Sequence, residues 1–165
     1  MSVQADKVQT ADKKYEPATV NVRIKISALW TAMLFVFAYV DIFSLYRADV
    51  RADIEAGTML MFTINQSFLL GVTVYVLIPS LMVFATLVLP PRNDRIANIA
   101  LAGIYALTIT AGAIGEWNYY VLGSAIEVAL LAAIVYYAWT WPKLAPRTSA
   151  IGPEATPHNP ESAVL

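Results

Sequence analysis

Four long apolar stretches, at about residues 24–46, 64–89, 96–115 and 119–141, constrain this chain more than any other feature. A helix needs about 20 mostly apolar residues to cross ~30 Å of hydrocarbon. With 165 residues, of which 58% are hydrophobic and 14% charged, the chain is also too apolar for a soluble domain. Because lipid offers no hydrogen-bond partner to a bare backbone, each stretch must be helical. The sequence therefore predicts an all-α fold, a membrane-embedded bundle of four transmembrane helices.

Polar residues are concentrated at the two ends of the chain, and this division predicts three segments. Residues 1–23 are expected to form a polar, flexible tail, and residues 24–141 the four-span membrane domain. Residues 142–165 contain five prolines and few groups to bury, so they are expected to be disordered. The membrane domain should therefore hold the whole folded structure.

Lysine and arginine are distributed unevenly between the two sides of the predicted spans. Arg47 and Arg51 are the only two on one side, whereas the remaining nine lie on the side of the chain termini. Loops rich in these residues stay in the cytoplasm, so both termini are expected there, in a plasma membrane. Trp and Tyr near the span ends, Trp30 among them, are expected at the headgroup level.

Several local patterns predict how the spans begin, end and pack. The charges of residues 47–53 alternate in sign, which we interpret as a solvated loop, with a short surface helix as the alternative. Pro79 should kink the second span, and Asp94 should cap the third. Small residues at four-residue spacing, including Gly71 and Gly103, are expected to let neighbouring helices pack closely. Spans two, three and four should be antiparallel neighbours, and the apolar residues just before the second span should lie partly along the interface.

Two carboxylates lie inside the predicted spans. Counted from the outer ends of their spans, Asp41 lies roughly 8 Å and Glu127 roughly 12 Å deep. Asn65 and Gln66 begin the second span on the same side, and Asn98 is the one comparable polar group expected in the inner half. No Lys or Arg lies at the depth of either acid, so the two acids should face a bundle interior, a cavity or a partner.

These residues predict a polar pocket in the outer leaflet, formed by Asp41, Glu127, Asn65, Gln66 and Tyr120. Such a pocket could bind a cation or an amine-bearing or hydroxylated small molecule, or carry protons in a coupled transport step. The alternative is structural. As neutral acids, Asp41 and Glu127 would hydrogen-bond neighbouring amides or tyrosines, or contact a partner helix, in an accessory subunit of a membrane complex.

The residue types that the chain lacks restrict the metal sites and reactions that it could support. The chain has no Cys, and its single His158 lies in the predicted C-terminal tail, so we expect no metal site, no cofactor and no catalytic residue. An enzyme is not expected; the alternative is an isomerase-type enzyme that uses carboxylates. A net charge of −1 argues against nucleic acid. The expected partners are the lipid bilayer, a small-molecule ligand, and a second copy or another membrane protein, because four spans are few for a complete transporter.

The order of several short segments resembles a family of four-span, mostly bacterial membrane proteins classed as a domain of unknown function. The segments that carry the resemblance are Ser27-Ala-Leu-Trp30, Ala38-Tyr-Val-Asp41-Ile, Phe68-Leu-Leu-Gly71, Ile78-Pro79, Met82-Val, Leu89-Pro90, Asn93, Arg95-Ile-Ala-Asn98-Ile and Ile126-Glu127. The resemblance covers about residues 24–141 and implies a bacterial inner membrane. It also implies that Asp41, Glu127, Arg95 and Asn98 occupy recurrent positions. In size and span count the chain is more distantly similar to DoxX-like proteins.

Overall fold

The computed structural model of the protein describes residues 20–59 and 62–141. Residues 1–19 of the predicted N-terminal tail and the whole predicted C-terminal tail, 142–165, lie outside the described residues. The elements in chain order are α1 (Val22–Ser44), α2 (Ala48–Glu55), β1 (Thr58–Met59), β2 (Phe62–Thr63), α3 (Gln66–Val88), α4 (Pro91–Gly112) and α5 (Asn118–Trp139). The prediction of an all-α four-helix bundle is confirmed, with α1, α3, α4 and α5 as its helices.

The four long helices have the length and the surface of membrane spans. Each contains 22 or 23 residues, which at 1.5 Å per residue gives about 33–35 Å. Phe35, Leu70, Leu107 and Leu122 are each more than half exposed, one on each helix. An apolar belt of this kind is unfavourable in water but matches the hydrocarbon of a bilayer. These features indicate a membrane protein.

Contacts between the helices place α1 beside α3 and α5, and α4 beside α5, while α3 and α4 share a smaller contact. Spans two, three and four are therefore successive neighbours, as predicted, although the contact between α3 and α4 is limited. The turn that joins them is short, but α1 supplies the more extensive apolar face for α3. We call the end that carries α2 and the β1–β2 hairpin the hairpin end, and the end where α1 begins the terminal end.

Helices α1 and α5 approach each other closely at Gly123, where a side chain would meet that of Val40 on α1. Glycine is required there because α5 packs directly against α1. Gly71 and Gly103 were expected to serve the same purpose, and this expectation is wrong. A Cβ atom at either position would have nothing within 4 Å, so both glycines face open space. Small residues at regular spacing indicated a packed face, but did not say which face has a neighbour.

Pro79 lies inside α3 and leaves one backbone carbonyl without its helical donor. Proline has no N–H, so the carbonyl of Tyr75, four residues earlier, loses its usual partner. The phenol of Tyr105 on α4 donates a hydrogen bond to that carbonyl oxygen. A neighbouring helix thus satisfies the group that proline frees, as membrane helices with proline require. The expected kink at Pro79 stays a prediction.

A buried polar network ties α1, α3 and α4 together near the terminal end. Trp30 Nε1 donates to Asn98 Oδ1 at 2.7 Å, and Asn98 Nδ2 donates to Asp94 Oδ1 at 2.7 Å and to Thr86 Oγ1 at 3.2 Å. All four residues are completely buried. Trp30 therefore does not lie at the headgroup level, and Asp94 does not cap α4, whose N-cap is Pro90. The half of the bundle at the terminal end therefore holds Asp94 and Thr86 as buried polar groups, besides Asn98, the one predicted from the sequence.

The connection after α1 is a helix, α2, so the interpretation of residues 47–53 as a solvated loop is wrong. Arg47 precedes α2 and is only 11% exposed at its side chain. It forms ion pairs with Asp49, at 2.6 Å, and with Glu116, and its guanidinium lies over the ring of Trp117. Hydrogen bonding to Arg47 lowers the pKa of Asp49, and hydrogen bonds to Asp49 and Glu116 raise the pKa of Arg47. Arg47 therefore fastens the start of α2 to the α4–α5 turn.

We expect the phenol of Tyr105 to contribute more stability when residue 79 is proline than when it is alanine. Tyr105→Phe should lower the free energy of unfolding by about 1–3 kcal/mol, because the Tyr75 carbonyl is left without a donor. In a Pro79→Ala background the helix supplies its own N–H, so Tyr105→Phe should cost less. Unfolding of the four variants by SDS in dodecylmaltoside micelles measures the difference. An equal cost in both backgrounds would contradict the assignment.

Candidate functional site

A groove of about 830 Å³ opens at the hairpin end between α1 and α3. The β1–β2 hairpin, in which Thr58 pairs with Thr63 and Met59 with Phe62, lies over it. Most of its wall is apolar or aromatic. The described residues that line it are Phe37, Asp41, Met59, Phe62, Thr63, Asn65, Ser67, Phe68, Gly71, Val72 and Tyr75.

Asp41 is the single charged side chain among these lining residues. It lies on α1 one turn before the helix ends at Ser44, so its position is inside the span. The ion pairs found among the described residues are those of Arg47 with Asp49 and Glu116, and neither involves Asp41. Asp41 is exposed and lies on the side of α1 that faces the groove. The groove therefore offers a carboxylate that no described cation neutralises.

Asn65 and Gln66, the two predicted amides, have different positions. Asn65 lines the groove and is the N-cap of α3, where its Oδ1 accepts the N–H of Phe68 at 2.9 Å. This bond holds the side chain in place and turns an acceptor away from the groove, which leaves the NH2 group to donate. Gln66 is the first residue of α3 and is exposed, but it does not line the groove. The structure thus brings Asn65, and not Gln66, beside Asp41.

Glu127 lies inside the bundle on α5, on the same face as Gly123 and Ser124. It is 2% exposed, and no described residue hydrogen-bonds its Oε1. A buried carboxyl oxygen without a partner is unfavourable by about 1–3 kcal/mol. Glu127 is therefore not explained as a satisfied packing group, and it does not line the groove either.

The two acids nevertheless belong to one region. Asp41 and Glu127 lie within electrostatic range of each other, and Tyr75 and Tyr120 lie within range of both. Tyr120 is half-buried at the start of α5 and does not line the groove. Tyr75 does line it, and its phenol shares a hydrogen bond of 2.7 Å with Thr108 on α4. Of the predicted five residues, the groove contains Asp41 and Asn65, with Glu127 and Tyr120 nearby in the bundle.

The sequence did not predict the aromatic wall of the groove or the β1–β2 hairpin that lies over it. Phe62 of the hairpin stacks on Phe68 of α3 with ring centres 6.1 Å apart, and Phe37 lies 6.1 Å from Tyr75. The apolar residues that begin before the second span were a signal for the hairpin. Nothing in the spacing showed that they form a hairpin that lines the groove. Among residues 20–59 and 62–141 no cluster of three acidic or histidine side chains could hold a metal ion.

Substitution of the unpartnered carboxyl should stabilise the protein. Glu127→Met keeps the volume and removes a buried unsatisfied oxygen, so the free energy of unfolding should rise by about 1–3 kcal/mol. Asn98→Leu is the matched control, since it removes a buried polar side chain that Trp30 and Asp94 need. It should lower the same free energy by at least about 1–3 kcal/mol. Unfolding in mixed micelles measures both, and a loss of stability in Glu127→Met would show that Glu127 is a packing group.

Comparison with known proteins gives a family but no activity. The family model described as a family of unknown function, DUF6326, matches residues 15–147. No curated protein and no solved structure matches the chain. The similarity to DoxX-like proteins and the bacterial source therefore stay predictions. Because the match covers most of the chain, this protein belongs to the DUF6326 family of unknown function.

Proposed function

We propose that this membrane protein binds a small apolar molecule that carries a cationic amine, in the groove between α1 and α3. The observation that carries the proposal is that Asp41 is the one charged side chain among the described residues of a groove whose wall is mostly apolar and aromatic. A carboxylate inside a span is unfavourable unless it meets a cation, a cavity or water. An amine seated in the groove would supply the missing counter-charge.

The groove wall suits the two parts of such a molecule. Phe37, Phe68 and Tyr75 offer aromatic faces near Asp41, and a cation is attracted to such faces as well as to a carboxylate. Asn65 would donate from its NH2 group to a polar atom of the ligand. Met59 and Val72 provide apolar contacts. Because the groove is open and flanked by lipid-facing residues such as Leu69, we infer that the molecule enters from the bilayer.

Glu127 extends the proposal to proton exchange. It lies in the bundle behind the groove, within electrostatic range of Asp41, with one oxygen that no described residue contacts. A region of low polarity tolerates little uncompensated charge. We therefore propose that both acids carry a proton while the groove is empty, and that a cation entering the groove is balanced by release of one of these protons, which leaves one carboxylate as its counter-charge. The same exchange would allow the bound molecule to be moved across the membrane.

We propose that the terminal end faces the cytoplasm. Among the described residues, Arg23, Lys25, Arg92 and Arg95 belong to this end. The basic residues described at the hairpin end are Arg47 and Arg51, so the excess of positive charge supports a cytoplasmic terminal end. The groove then opens in the outer leaflet. The expectation that the protein is not an enzyme stays a prediction.

Binding of tetraphenylphosphonium, an apolar cation, tests the groove and its charge. The detergent-purified protein should bind it, and Asp41→Asn should weaken binding at least about tenfold, which corresponds to the loss of about 1.4 kcal/mol of charge interaction. Gly71→Leu should also weaken binding. Gly71 lines the groove and a Cβ there meets no other atom within 4 Å, so the leucine side chain would occupy space that the ligand needs. Equilibrium dialysis with the labelled cation measures the affinities.

Gly103→Leu is the control for the groove. Gly103 is a helix glycine whose Cβ would also meet nothing within 4 Å, but it lies on α4 outside the groove, so binding should match that of the wild type. Equal binding by all four proteins would refute the site. A changed oligomer mass in Asp41→Asn, with no cation bound by the wild type, would support the accessory-subunit alternative.

Proton exchange predicts an acidification of the solution that depends on the cation. Detergent-purified protein in weakly buffered solution should release protons when tetraphenylphosphonium is added, at most about one per site. Glu127→Gln and Asp41→Asn should each reduce the release, because either change removes an acid from the pair. The pH indicator pyranine reports the release. Binding without proton release in the wild type would limit the protein to a binding role.

A further inference from the structure

A second cavity, of about 540 Å³, lies at the terminal end and is separate from the groove. The first turn of α1, the start of α4 and the end of α5 form it. Its lining residues are Val20, Asn21, Val22, Arg23, Lys25, Pro91, Tyr137, Thr140 and Trp141. The two charged side chains in this set are both basic.

The two basic side chains are held against the cavity wall. Arg23 Nη1 donates to the carbonyl oxygen of Leu87 at 3.0 Å, and its guanidinium lies 5.5 Å from the ring centre of Trp141. Lys25 Nζ lies 5.4 Å from the ring centre of Tyr137. A guanidinium has five N–H donors, so one bond to Leu87 leaves others for a ligand. Preorganised cations of this kind favour an anion with several oxygens.

No acidic side chain among the described lining residues opposes an anion. The acid of α4's first turn, Asp94, lies within electrostatic range of Arg23, but it is 0% exposed, does not line the cavity and has its Oδ1 bonded to Asn98 inside the bundle. Asn21 and Thr140 add neutral polar groups at the cavity mouth. The chemistry of the cavity therefore suits a phosphate group.

The surroundings indicate where the phosphate comes from. Ile24, Tyr136 and Trp139 are each more than half exposed beside the cavity, and apolar and aromatic side chains at the end of a span lie at the lipid headgroup level. Arg95, whose guanidinium lies 5.4 Å from the ring centre of Trp139, adds positive charge nearby. We propose that this cavity binds the headgroup phosphate of an anionic phospholipid, with Arg23 and Lys25 as its ligands.

Native mass spectrometry of the full chain tests this site. The protein is released from micelles that contain equal amounts of phosphatidylglycerol and phosphatidylcholine with the same acyl chains. The wild type should retain phosphatidylglycerol preferentially. Lys25→Gln should reduce the preference about fivefold, and Arg23→Gln with Lys25→Gln should reduce it further, since each basic residue contributes comparably to attraction for anionic lipid.

The controls separate the site from general charge and from free phosphate. Arg51→Gln removes an exposed positive charge from α2 at the hairpin end and should leave the lipid preference unchanged. Lys25 is exposed and its ammonium lies against the Tyr137 ring, so Lys25→Gln should fold even if the double variant does not. Inorganic phosphate at millimolar concentration should not displace the lipid. No preference in the wild type, an equal loss in Arg51→Gln, or displacement by phosphate would each overturn the proposal.

Discussion

The scarcity of water inside a bilayer is the constraint on which this structure depends, because each polar group in a span must find a partner within the protein. The Tyr75 carbonyl shows how strictly the bundle meets it. Pro79 removes the helical donor of that carbonyl, and Tyr105 replaces it from the adjacent helix. The network from Trp30 through Asn98 meets the same demand at the terminal end. The limited contact between α3 and α4 thus includes polar bonds, from Tyr105 to the Tyr75 carbonyl and between Asn98 and Thr86.

Against this background, the groups that remain unsatisfied are informative. Among the described residues, two buried side-chain atoms have no hydrogen-bond partner, Asp94 Oδ2 and Glu127 Oε1. Asp94 is otherwise held by Asn98, so it has a structural role. Glu127 lacks such an explanation and lies near Asp41, which has no described ion-pair partner in its groove. A bundle that satisfies a single freed carbonyl but leaves these acids unpaired points to a role for them beyond packing. This reasoning supports the proposed binding of a cationic molecule.

The sequence predicted the helices well and the residues that pack between them poorly, for physical reasons. Apolar length determines a span regardless of its surroundings, so all four helices and the interior acids could be anticipated. Which helix faces which depends on side-chain fit. Gly71 follows Ser67 by four residues, the spacing expected of a packed face, yet a Cβ at Gly71 would meet open space, whereas one at Gly123, which has no small residue at that spacing, would meet Val40. Trp30 likewise matched the interfacial belt, but a hydrogen-bond acceptor on α4 places it in the core. Depth placed Asp41, Asn65 and Gln66 at one level, but it did not show that Gln66 lies outside the groove. The hairpin over the groove could not be predicted, because its strands are only two residues long and show no alternating pattern.

Photoaffinity labelling tests the central claim most directly, since it locates the bound molecule instead of inferring it from affinity. A long-chain alkylamine with a diazirine beside the amine would be irradiated with the purified protein, and labelled peptides would be mapped by mass spectrometry. We predict labels at groove residues such as Phe68 and Val72 on α3, with loss of the label in Asp41→Asn. Labels spread over lipid-facing positions such as Leu107 and Leu122, and unchanged in Asp41→Asn, would contradict the account.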